Sequence, residues 1–116
     1  MPSPRKTRRY PRVSLPKGAL VAWEHAGRRQ VSSATVMALG GLFISTRNPA
    51  PSGDFIKLVL EVPGGEVRAR AMVCDSQPGK GMGIEFTAMG HDARARLHRL
   101  MKILTRDATE RPPSAP

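Results

Sequence analysis

A mainly β fold closed by one C-terminal helix is what this sequence predicts, and three observations predict it. Apolar and polar residues alternate through the middle of the chain, clusters of Gly, Pro and Asn cut that alternation into short runs, and only after Gly90 does the period become helical. Six short strands followed by one amphipathic helix imply a six-stranded antiparallel β-barrel. A closed sheet leaves no unpaired edge, and the apolar stripe of the helix needs a surface to cover.

The first run, Ala19 to Glu24, ends at a turn around His25, Ala26 and Gly27, and Arg28 to Met37 forms the second. Leu42 to Thr46 is a short third strand. Asn48, Pro49, Pro51, Ser52 and Gly53 make a loop; beyond it Ile56, Leu58, Leu60 and Val62 alternate with Lys57, Val59 and Glu61, as in a strand with one wet face. The turn Pro63, Gly64, Gly65 leads into Val67, Ala69, Ala71 and Val73, which alternate with Glu66, Arg68 and Arg70. These two runs read as an antiparallel hairpin. Met82, Ile84 and Phe86 mark the last strand. In the helix, Ala93, Leu97, Leu100, Met101 and Leu104 fall on one stripe, while Arg94, Arg96, Arg99, Lys102 and Arg106 occupy the rest. Asp92 near its start and Arg106 near its end suit the helix dipole.

With 116 residues the chain is long enough for one modest core. It divides into a basic N-terminal tail over 1–7, a folded domain over 8–104, and a tail over 105–116 whose Pro112, Pro113 and Pro116 and lack of large apolar residues predict disorder. The formal net charge of +10 implies attraction to nucleic acid, nucleotides, anionic lipid or acidic proteins without choosing among them. A nonspecific nucleic-acid binder is favoured by the charge but opposed by the scarcity of aromatics, 4%, since no stacking platform interleaves the basic residues; no specific nucleic-acid partner is expected. The segment Met1 to Arg12 is polar and basic with no apolar run, so it reads as neither a secretory signal nor a membrane span; a cytoplasmic protein without membrane insertion is expected. Cys74, the single cysteine, has no internal disulfide partner and reads as a small buried hydrophobe.

No catalytic constellation emerges, and an enzyme is not expected. Asp54, Asp75 and Asp92 have no paired carboxylate at a suggestive spacing, and His25, His91 and His98 stand apart from any nucleophile motif. His91 and His98 lack a third ligand, so no metal site is expected, and Gly79 to Gly83 lacks the spacing of a phosphate-binding loop. The chemistry lies instead in Arg8, Arg9, Tyr10, Pro11 and Arg12, where three guanidinium groups fall within five residues. Guanidinium forks bidentately onto phosphate and stacks on ring faces, so this cluster is the candidate contact for an anionic, planar ligand or an acidic partner.

Taken in order, the Arg8 to Arg12 cluster, Leu39 to Ile44, the Val62 to Gly65 hairpin, and Gly81 to Phe86 before a helix together resemble a PilZ domain over about residues 8 to 104. The resemblance implies a bacterial cyclic di-GMP receptor fold: a six-stranded antiparallel barrel with a C-terminal helix. It places the family's Arg-x-x-x-Arg motif on Arg8 and Arg12, with Arg9 beside them. The second family motif, Asp or Asn, one residue, Ser, two residues, Gly, falls on Val36, Ala38 and Gly41, and only Gly41 survives. Val36 cannot accept from guanine donors and Ala38 has no hydroxyl. At about 1–3 kcal/mol for each missing contact, the pair weakens ligand affinity by about 30-fold to more than 10,000-fold. The sequence therefore points to a PilZ-like adaptor that binds another protein with an acidic surface, in motility or cell-surface regulation, with cyclic di-GMP binding weak or lost and no cofactor. The alternative is a working cyclic di-GMP receptor that relies on Arg8 and Arg12.

Overall fold

The computed structural model of the chain describes residues 13–15, 19–62 and 64–110, the last five by their backbone alone. Within them lie strands β1 (Val13–Ser14), β2 (Leu20–His25), β3 (Arg28–Ala38), β4 (Gly41–Ser45), β5 (Phe55–Val62), β6 (Gly65–Gln77) and β7 (Gly81–Met89), followed by helix α1 (His91–Glu110). The sheet runs β1-β3-β2-β5-β6-β7-β4, and β4 pairs back onto β3, so β2 to β7 close into a six-stranded barrel. All pairings are antiparallel. The predicted fold class is therefore the one observed.

Alternation dictates which residues fill the barrel. Ile56, Leu58, Leu60 and Val62 of β5 and Val67, Ala69, Ala71 and Val73 of β6 all point inward and are buried, as the sequence pattern requires. Val21 and Trp23 of β2, Leu42 and Ile44 of β4, and Met82 and Ile84 of β7 complete the lining. Trp23 keeps its ring buried and donates its indole N–H to Ser32 Oγ at 3.0 Å, so its one polar atom is satisfied. No polar or charged side chain is buried among the described residues.

Helix α1 caps one end of the barrel with Ala93, Leu97 and Met101 buried and Leu100 and Leu104 packed beside them. Arg96 holds the cap to the β5–β6 hairpin by donating to the Glu66 carbonyl at 3.0 Å. A side chain at Gly65 would have its Cβ 2.9 Å from Arg96 Nε, so the second hairpin glycine clears a path for that guanidinium. Gly64 takes φ 89°, in the left-handed region that glycine adopts without steric cost. At the opposite end Ala50 is buried in the 46–54 loop, and His25 Nε2 meets Asp54 Oδ2 at 2.8 Å to tie that loop to the end of β2.

Three details depart from the sequence reading. The two-residue β1 has no counterpart among the expected strands; it extends the β2 edge along β3, with Leu15 N–H donating to Thr35 O and Ala34 N–H to Ala19 O. The helix continues to Glu110, six residues past Leu104, where the sequence predicts a disordered tail. Residues 105–110 contain no glycine or proline, so nothing in that stretch breaks the helix. As a result Arg106 lies short of the last turn, which carries no basic residue. Cys74 is exposed, because the alternation that turns Val67, Ala69, Ala71 and Val73 inward puts the even positions of β6 on the outer wall.

Candidate functional site

A β-bulge builds the face on which the site residues lie. Ala34 and Met37 are both buried although they stand three apart, and the β3–β4 register shifts between Ala34 and Val36, which makes Thr35 the extra residue. Without that insertion Val36 and Ala38 would share the inward phase of Ala34. With it, Met37 turns into the core and Val36 and Ala38 turn to the outer wall, both half-buried.

Cross-strand partners share a face, so the register names the neighbours of each position. One row runs Ser14, Val36, Phe43, Gly83, Asp75 across β1, β3, β4, β7 and β6. The next runs Ala38, Gly41, Glu85, Met72, Phe55. Around Val36 and Ala38 the wall is thus apolar or bare except for Ser14 opposite Val36, and its charged members are carboxylates. Neither Asp75 nor Glu85 forms an ion pair with another described residue; Asp75 accepts from Gln77 at 2.6 Å, and Glu85 meets Cys74 Sγ at 3.7 Å. Partial burial, followed by the Glu85 and Asp75 charges and the hydrogen bond to Glu85, raises the Cys74 thiol pKa above its usual value.

Gly41 has a packing reason of its own. A Cβ there would lie against the Ile84 carbonyl oxygen of β7, closer than any real side chain comes. The turn Leu39–Gly40 is fixed to the same strand by the Phe86 N–H, which donates to the Gly40 carbonyl at 2.9 Å. Glycine at 41 is thus required by the closure of the barrel whether or not anything binds outside.

Arg8, Arg9 and Arg12 lie outside the described residues. The first described residue, Val13, pairs with Met37, and Ser14 pairs with Val36. Among the described residues the structure brings together Val36, Ala38 and Gly41. It adds Phe43, Glu85, Asp75 and Ser14, which sequence reasoning does not single out. Their signal is contained in the strand register and not in any motif. No described helix is long and apolar enough to cross a membrane, and no described group of three or more His, Cys, Asp or Glu could hold a metal ion.

A family model described as the PilZ domain matches residues 6–102. Among solved structures, the chain is similar to the Klebsiella pneumoniae MrkH–cyclic di-GMP complex, with a TM-score of 0.74 and 19% identity over 90% of this chain and 54% of that one. It is similar to the Bacillus subtilis inhibitor of motility MotI, also called DgrA, with a TM-score of 0.68 and 19% identity over 94% of this chain and 58% of that one. The PilZ domain of Escherichia coli YcgR with cyclic di-GMP matches at a TM-score of 0.70 and 17% identity, covering 95% of this chain and all of that one. The chain thus spans little more than half the length of the first two. No curated protein matches it.

Proposed function

The chain belongs to the PilZ domain family, and from that premise we propose that it is a cytoplasmic regulatory adaptor that acts by contact with another protein and binds cyclic di-GMP weakly or not at all. Structures of MrkH and YcgR hold cyclic di-GMP, and MotI is an inhibitor of motility; the adaptor reading carries over the regulatory role and withholds the ligand. One observation carries it. The outward pair at the second motif, Val36 and Ala38, offers neither an acceptor for guanine donors nor a hydroxyl, and the nearest charged residue along its rows, Glu85, is a carboxylate that disfavours phosphate. The retained Gly41 does not count in favour of a ligand, because the Ile84 carbonyl already demands it.

A second reading, a working receptor, is favoured by the retained Arg8 and Arg12 with Arg9 between them. In the adaptor reading those arginines engage an acidic partner surface, since the first twelve residues hold five cations and no acid. The double substitution Val36→Asp with Ala38→Ser tests the assignment. It is expected to create or strengthen cyclic di-GMP binding in calorimetric titration by at least about tenfold, one lost contact's worth. A folded double variant with unchanged heats would show that these positions are not the family's contact positions.

A further inference from the structure

The barrel closes along only part of β3. Its 28–33 stretch pairs with β2, and its 33–38 stretch pairs with β4 on the other edge. Backbone N–H groups alternate in direction along a strand. Ala34 N–H points to the β2 side, where it bonds the Ala19 carbonyl, so the main-chain groups of Ser33, Val31 and Arg29 point to the other side. Ser33 finds Ser45 of β4 there, while Val31 and Arg29 face no strand or helix among the described residues.

An apolar row ends at that open edge. Val31, Ala22 and Val59 are cross-strand neighbours on the outer wall, and Val31 is 63% exposed. Beside it runs a charged row, Arg29, Glu24, Lys57, Arg70, in which cations outnumber the single carboxylate. Leu20, 52% exposed, lines the same groove, whose volume is about 1080 Å³. Unpaired main-chain groups beside an exposed apolar residue can accept an added strand, and an edge cation favours an acidic strand over a basic one.

From the unpaired edge and the rows that end on it, we infer that Arg29–Val31 of β3 is a docking site for an extended, acidic segment of a partner protein, which adds antiparallel to the sheet. Arg29 and Val31 each offer one N–H and one C=O to the incoming strand. The incoming residue opposite Val31 is apolar and continues the Val31, Ala22, Val59 row. The residue opposite Arg29 comes two positions later in an antiparallel strand and is acidic, which pairs with Arg29 and offsets the excess of cations in that row. The segment therefore reads apolar, any residue, Asp or Glu. This inference rests on the adaptor reading for the presence of a partner, but it concerns the end of the barrel opposite the Val36 and Ala38 wall.

Amide hydrogen exchange by NMR on the full chain tests it. The probe is a capped nine-residue peptide of Thr and Ser carrying one Val and, two residues later, one Glu. At millimolar peptide the Arg29 and Val31 amides are expected to exchange at least about tenfold more slowly, while the Arg28 and Gln30 amides are unchanged. The same peptide with Lys for Glu is expected to give no protection, and Arg29→Glu, an exposed substitution, to reverse that preference. No protection at Arg29 and Val31, or equal protection by both peptides, overturns the proposal. Protection that rises with protein concentration alone also overturns it, since a second copy then occupies the edge. Cyclic di-GMP added to the same sample reads out the other wall, so binding there would count against the adaptor reading and leave the edge result intact.

Discussion

Gly41 shows how a retained motif residue can owe its identity to packing. Its Cα passes so close to the Ile84 carbonyl that any side chain forces β4 and β7 apart. Gly41→Ala is expected to destabilise the domain by about 3 kcal/mol, the upper range for overpacking, because the obstructing atom is backbone and cannot rotate away. Urea denaturation checks this through the midpoint, and an unmoved midpoint would contradict the packing account of Gly41. Cys74 is a second residue whose surroundings set its chemistry. Its thiol pKa is raised first by partial burial and then by Glu85, so less thiolate is present at pH 8 than in a free cysteine and alkylation is slow. Glu85→Gln removes a negative charge that opposes ionisation, the pKa falls, and iodoacetamide labelling at pH 8 should accelerate. Labelling no faster than in the parent protein would mean that burial and the Asp75 charge hold the thiol without Glu85.

Among the elements, the helix and the β5–β6 hairpin are legible in the sequence because each has a single uninterrupted period. Leu97 is fully buried under α1, and Leu97→Ala should cost about 2–5 kcal/mol in thermal or urea unfolding. Ile103, on the outward side of the same helix and 40% exposed, should change stability by no more than about 0.5 kcal/mol when replaced by Ala. Equal losses at both positions would contradict the docked orientation. Strand β3 is not legible in the same way. Thr35 carries no mark of a bulge, and without the bulge the run through Ala34, Val36 and Ala38 reads as one buried face. Only the register shift shows that Val36 and Ala38 are outward. β1 is hidden for a different reason: two residues cannot display a period, and its place is set by hydrogen bonds to β3, not by its own side chains. The missing polar groups at 36 and 38 are legible in the sequence, whereas the carboxylates farther along the same outer rows, Glu85 and Asp75, require the register.

At the scale of the whole molecule, charge and partner recognition are unevenly placed. Five of the nineteen basic residues fall in the first twelve positions, ahead of Val13, which enters the fold beside Met37 next to the Val36 wall. If that arm engages an acidic partner, Arg8→Ala with Arg12→Ala should leave the unfolding transition in place, remove the partner from affinity capture, and abolish a salt dependence that the parent complex shows. Capture of the same partner by both proteins would move the contact elsewhere, with the basic face of α1 from Arg94 to Lys102 next to be mutated. The central claim is that this barrel keeps the PilZ architecture while its ligand wall has lost the groups that hold the nucleotide. Isothermal titration of the purified parent protein with cyclic di-GMP addresses it most directly. No saturable heat is expected at low micromolar ligand; a saturating isotherm with a dissociation constant below about 1 μM, equivalent to roughly 8 kcal/mol of binding, would contradict the adaptor reading and make the chain a receptor.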